Sequence, residues 1–362
     1  MTIVVGYLPA KGGRACLDLA AELARSGLQE HIAVVTVVAQ HWSAPSLARV
    51  DAEFVAWTHQ TGEQALDQAR AYLAAKWPDV EASFHRAEGR SVPAALTQAC
   101  DDHSGDLLVL GSSTDGRVGQ VIVGSTAGPL LHSSAIPIAI APRGYRAAKG
   151  AAVTRLTCAY SGTKHDDDLI TATARMSVRM GSALRIVTFA IRGRTMYPPE
   201  VGLHAEDLVL QQWKEQVQTA QTAARARLDT LGLVDSGTTA EIAVGSRWDE
   251  AMDDIDWEPA EVLVVGSSRA GRLARVFLGS AAIKIVRYSP VPVVVVPAAV
   301  AAEVAETVET GDTAPAGATP PAVPPANPPA YVPADPPVGT GAAGTGAAGI
   351  ETADHPTSDR PG

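Results

Sequence analysis

Up to about residue 299 the chain alternates short apolar runs with longer segments whose apolar positions recur at helical spacing. Runs at Ile3–Tyr7, His31–Val38, Val80–His85, Asp106–Leu110 and Ile136–Pro142 predict strands. Between them, Cys16–Ser26, Ser46–Ala75 and Ser91–Asp102 predict helices, and a further helix opens near Thr126. The pattern then starts again. Strands are expected at Leu156–Tyr160, Ala183–Ala190, Thr239–Val244, Val262–Val265 and Val291–Val296. Helices are expected at Asp167–Met180, His204–Leu231, Trp248–Ile255 and Ala281–Arg287. Strands this apolar, alternating with helices, must be covered on both faces, which implies a parallel, doubly wound sheet in each half.

The second half is a copy of the first. The stretch from Val109 through Gly111-Ser112-Ser113 to Gly124-Ser125 is echoed by Val264 through Gly266-Ser267-Ser268 to Gly279-Ser280, at a constant offset. Each copy is followed by a helical stretch and an apolar strand bracketed by proline, Ile136–Pro142 and Val291–Pro297. A repeat of this length is a duplicated domain, near 1–146 and 152–299. Pro137 and Pro292 cannot donate to an inner ladder, so each fifth strand should be an edge within its own half. A bare edge as apolar as Val291–Val296 invites aggregation. Pairing of the two fifth strands is the simplest cover, giving an internal pseudo-dimer, with further homodimerisation left open.

Composition changes the picture mainly at the end of the chain. Residues 300–362 hold 12 of the 25 prolines and, with eight acids against Arg360, most of the net charge of −10. Such a segment cannot bury a core and is expected to be disordered, apart from a short helix at Ala299–Val308. The remainder is close to neutral, which argues against nucleic acid as a partner. No apolar run reaches the roughly 20 residues of a membrane helix, so no membrane partner is expected either. Met1-Thr-Ile-Val-Val-Gly6 begins a strand at once and does not read as a signal peptide. Three cysteines, Cys16, Cys100 and Cys158, form no CxxC pair, which suits a reducing cytoplasm.

A strand that ends in Gly-Ser-Ser and later enters a helix through Gly-Ser offers backbone N–H groups to an anion. Ser125 and Ser280 either cap their helices or both cap and touch phosphate. This pattern resembles the universal stress protein family, whose ATP-binding members carry Gly-x2-Gly-x9-Gly-Ser/Thr after the fourth strand. The resemblance spans both halves and implies two flavodoxin- or Rossmann-like domains. It implies phosphate contacts at Gly111, Ser112, Gly124 and Ser125, and at Gly266, Ser267, Ser268, Arg269, Gly279, Ser280 and Ala281. On the adenine side it implies Val37 and Phe189, which core packing would equally explain. Two departures stand out. The family's middle glycine is replaced by Thr114 and Arg269, and its aspartate after the first strand by Leu8 and by Ser161, which is still expected at the nucleotide.

The second loop carries Arg269, Arg272, Arg275, Lys284 and Arg287 without an acid, whereas the first has Arg117 beside Asp115. A triphosphate is strongly anionic, so the second half is expected to bind first. Gly128-Pro129 should delay the helix after the first loop. The acids Asp166–Asp168 suit a helix start, though a carboxylate on a phosphate rim can also hold Mg²⁺. His85, His103, His132 and His204 are scattered, which disfavours zinc. No nucleophile elbow, P-loop or dinucleotide fingerprint occurs, so no catalytic residues are expected and only weak hydrolysis of a bound ATP. The expected work is a nucleotide-driven switch in a stress response, engaging a protein partner not named by the sequence. The rival is a nucleotide-free scaffold with both sites degenerate. An adenylate-handling enzyme is a third option, against which the missing His-rich signatures count.

Overall fold

The computed structural model describes residues 1–9, 13–27, 30–39, 49–113, 117–191, 203–270 and 275–309. The expected disorder of 310–362 lies outside them.

The first half runs β1 (Thr2–Gly6), α1 (Gly13–Ser26), β2 (His31–Ala39), α2 (Arg49–Lys76), β3 (Ala82–Gly89), α3 (Val92–Asp102), β4 (Gly105–Gly111), α4 (Ala127–Leu131) and β5 (Ile138–Ala141). The second runs β6 (Arg155–Ala159), α5 (Lys164–Met180), β7 (Ala183–Ile191), α6 (Leu203–Thr230), β8 (Thr239–Gly245), α7 (Trp248–Asp253) and β9 (Glu261–Gly266). It continues with β10 (Ser268–Ala270), β11 (Arg275–Phe277), α8 (Ser280–Tyr288), β12 (Val293–Val296) and α9 (Ala298–Glu309).

One sheet carries ten of these strands, in the order β3-β2-β1-β4-β5-β12-β9-β6-β7-β8. Every pair in it is parallel except one. The exception is the seam between halves, where β5 and β12 run antiparallel with Val293 opposite Ile140 and Val295 opposite Ile138. The fifth strands are therefore central, as the exposed-edge argument requires. Pro137 and Pro292 stand one residue outside the seam and contribute only carbonyls, which accept from Leu108 and Leu263 at 3.0 and 2.9 Å. A ring without N–H costs nothing there.

Two apolar cores lie on the two faces of the sheet, and each draws residues from both halves. Leu17, Leu66, Trp77, Leu156, Leu169 and Leu228 belong to one; Leu96, Leu130, Ile140, Leu263 and Val286 belong to the other. The linker between halves packs on α1. The Tyr145 hydroxyl donates to Glu22, and the Val153 amide donates to Ser26 Oγ at 2.6 Å. On the second half α9 takes the corresponding place against α5, where Arg175 donates to Thr307 at 2.6 Å. Within each half the order reverses at the first strand, so a crevice opens beyond the carboxyl ends of β1 and β4 and, in the copy, of β6 and β9.

Candidate functional site

The first crevice is a cleft of about 310 Å³. Gly111, Ser112, Ser113, Gly124, Ser125 and Thr126 form one wall. Val35, Val37, Val92, Leu96 and Leu110 form the apolar end, and Gly6, Tyr7, Leu8, Gly13, Cys16 and Ala127 the rest. Five of the expected residues thus meet here: Gly111, Ser112, Gly124, Ser125 and Val37. Most of the others come from strand ends and from α1 and α3, where apolar positions look like ordinary core.

Backbone approach shapes this cleft. A Cβ on Gly13 would lie 2.1 Å from the Leu8 carbonyl oxygen, so α1 starts against the β1 loop only because residue 13 is glycine. A Cβ on Gly6 would meet Leu110 at 2.8 Å and Leu96 at 3.0 Å. The glycine loop is pinned on both sides. Ser113 N–H donates to Ile122 O at 3.0 Å, and Ile122 N–H donates to Ser112 Oγ at 2.7 Å. Farther out, Gly119 N–H donates to Arg143 O at 2.8 Å, and Arg143 N–H donates to Gln120 O at 3.0 Å. Gly124 then accepts from Gly128 N–H and turns the chain into α4. That helix is five residues long and opens two positions later than α8, as Gly128-Pro129 implied. Of its first three positions, Gly128 spends its amide on Gly124 and Pro129 has none, which leaves that of Ala127.

The described lining carries no Asp, Glu, Lys or Arg. Its thiol, Cys16, donates to Gly13 O at 2.9 Å, and burial pushes its pKa up to about 12. Burial likewise raises the Tyr7 phenol. Both stay neutral near pH 7, so the described lining presents neutral dipoles at one end and hydrocarbon at the other, with no activated nucleophile among its residues. Leu8, at the place where the resemblance leads one to expect an aspartate, is 64% exposed on the rim.

The second crevice is built differently. Strand register makes Phe189 the counterpart of Val37, and the β8–α7 joint makes Trp248 the counterpart of Val92. Phe189 is 7% exposed within the core, with its ring centroid 6.1 Å from that of Trp248 and tilted by 43°. Core packing is therefore the role the structure shows for Phe189. Ser161 turns to the helix start: its amide and hydroxyl both donate to Asp166 Oδ2, as do those of Thr163. Asp166 thus caps the start of α5. Asp167 accepts from Tyr160 at 3.0 Å and has its pKa raised by burial. Ser267 is buried, and its hydroxyl accepts from the Ala298 amide at the start of α9. Gly266 ends β9, Gly279 precedes α8, and Ser280 and Ala281 are exposed in its first turn. The expected glycine loop is here an antiparallel hairpin of β10 and β11, with Arg269 opposite Val276. The side chains of Ser268, Arg269 and Arg275, and Arg272 altogether, lie outside the described residues.

The histidines are less scattered than the sequence suggests. His31 and His85 approach Ser83 Oγ at 2.8 and 2.7 Å, and the His85 and His103 rings lie 4.1 Å apart. Among the described residues no group of three His, Cys, Asp or Glu side chains is placed to hold a metal ion. None of the described helices is long and apolar enough to cross a membrane.

A parallel α/β unit used twice in one chain, with a glycine-serine loop beyond its fourth strand, defines a narrow class of α/β proteins. The family model described as "Universal stress protein family" matches residues 1–142 and again 153–297, and the chain belongs to that family. Among its relatives is a universal stress protein of Mycobacterium tuberculosis (strain H37Rv), 44% identical over 297 residues, covering 82% of this chain and all of the relative. A universal stress protein of Mycobacterium bovis matches with the same identity and coverage. Among solved structures, a universal stress protein from Archaeoglobus fulgidus shares the fold, with a TM-score of 0.55 and 17% identity. That match covers 82% of this chain and 98% of the other.

Proposed function

We propose that the first half binds an adenine nucleotide in the cleft beyond β1 and β4, and that the protein works as a regulatory binding protein in a stress response. The observation that carries this reading is the coincidence of the glycine-serine loop with a preformed, half-apolar cleft. The base lies among Val35, Val37, Val92 and Leu96. The phosphates lie against the glycine-serine loop where it turns into α4. This reverses the charge-based expectation that the second half binds first. Chemistry is not part of the reading, because the described lining offers neither general base nor activated nucleophile. It also offers no carboxylate to Mg²⁺ among the described residues, so the ion arrives, if at all, with the triphosphate.

Titrating ATP into the full chain, with hydrogen exchange to locate protection, tests the site. Protection at 111–113 and 117–127 supports it. Protection confined to 161–163 and 279–287 would overturn it, and phosphate release well above background would overturn the non-catalytic part. Leu8 on the rim favours a second reading, a nucleotide-free scaffold. The absence of any thermal shift at millimolar ATP supports that alternative.

A further inference from the structure

We propose that Phe189 and Trp248 plug the base end of the second half, so that the duplicated chain carries a single nucleotide site, in the first half. The inference rests on the preceding reading of the cleft and assigns these two side chains the role of deciding which half binds.

The backbones at the two places match. β1 pairs with β2 so that Gly6 faces Val35, and β6 pairs with β7 so that Ala159 faces Val187; Val37 and Phe189 each lie two residues further on. Thr36 donates to the Tyr7 carbonyl at 3.2 Å, and Thr188 donates to the Tyr160 carbonyl at 2.7 Å, which anchors the same register twice. The other wall is equally fixed. A Cβ on Gly89 would lie 2.7 Å from Ala95, and one on Gly245 would lie 2.4 Å from the Ala251 amide. Both strand–helix joints are therefore pressed against their helix, and the next helical residues, Val92 and Trp248, start from the same place.

What differs is the side chains. In the first half two valines leave a gap, and Val92 is 42% exposed at its mouth. In the second, a phenyl ring and an indole meet across it. An indole is a fused bicycle of about the size of a purine, so it fills the kind of slot a base would need. Phe189 is sealed into the core beneath it. Aromatic rings packed in this tilted way attract one another beyond simple area burial, which favours the closed arrangement. A base could enter only by displacing both.

The test uses the full chain and ATP, with native mass spectrometry for stoichiometry, hydrogen exchange for location and thermal unfolding to confirm folding. The parent should bind one ATP, protecting 111–113 and 117–127. Phe189→Val with Trp248→Val should bind a second, adding protection at 161–163 and 279–287. Phe189→Leu with Trp248→Leu is the milder pair should the first not fold. The reciprocal change, Val37→Phe with Val92→Trp, should weaken the parental site by about tenfold or more while the protein stays folded. Two ATP per parent chain would overturn the inference. So would a folded reciprocal variant with parental affinity, or an opened variant that gains no second-half protection. A parent that binds none, with an opened variant that binds one in its second half, would refute the first-half reading and uphold the plug.

Discussion

Ala33 in the first half has Arg185 as its counterpart in the second, and a charge placed at so enclosed a position has to be neutralised. Glu261 supplies the carboxylate: it accepts from Arg185 and Thr157, and from the Glu258 amide at 2.9 Å. Arg185 also donates to the Asp256 carbonyl at 3.1 Å and lies 5.3 Å from the centroid of the Trp257 ring. Removing one member leaves the other buried with only a longer ionic contact, Arg185 to Glu241 at 3.6 Å or Glu261 to Arg155 at 3.9 Å. Glu261→Gln is therefore expected to cost about 3–5 kcal/mol in urea unfolding, whereas Arg185→Met with Glu261→Leu should recover most of it. A single-variant loss below about 1 kcal/mol would contradict this. Glu22 poses the opposite problem. Burial raises its pKa above the ordinary 4.5; the bond from Tyr145 opposes the rise, Asp18 adds to it and Lys76 opposes it. One of its oxygens has no hydrogen-bond partner among the described residues. The native state then keeps a proton that the unfolded chain releases, so stability falls as pH rises from 4.5 through the raised value. Glu22→Gln should flatten that slope and gain on the parent at neutral pH; parallel slopes in urea melts would refute it. Neither network is legible in the sequence, because an apolar flank looks the same whether it covers a charge or a methyl group.

At the scale of elements the hydrophobic period was a good guide. The expected strands and helices all form, and the short helix expected after Val296 is α9. Boundaries shifted by a few residues where caps decide them: Ser91 lies outside α3 because its hydroxyl accepts from the Ala94 amide at 3.4 Å. The β10–β11 hairpin was not anticipated, since glycines at 266, 271 and 279 read as loop and mask the pairing of the residues between them. Ser267 shows how one motif residue acquires a different task in the copy. Its hydroxyl satisfies the first amide of α9, so Ser267→Ala should cost about 1 kcal/mol and speed exchange at the start of α9. Unchanged exchange there would show that the bond contributes nothing.

On the scale of the whole molecule, the antiparallel seam turns two domains into one sheet with two shared cores. Val294 sits in the middle of it, between Ala139 and Val264. Val294→Pro removes a ladder donor and should cost about 3 kcal/mol or more, splitting calorimetric unfolding into two transitions. A single transition near the parental temperature would refute the idea that the seam couples the halves. The sequence by itself determined the duplication, the doubly wound halves, the covering of the fifth strands and the place of the glycine loops. These follow from period and from proline's missing donor, both local properties of the chain. That Phe189 meets Trp248 where the first half has Val37 and Val92 was decided only by the tertiary structure. Val37 and Val92, like Phe189 and Trp248, lie far apart in the chain, and only strand register brings each pair together. Charge along the second loop is a property of the sequence, whereas the rings that meet at Phe189 and Trp248 come together only through the fold.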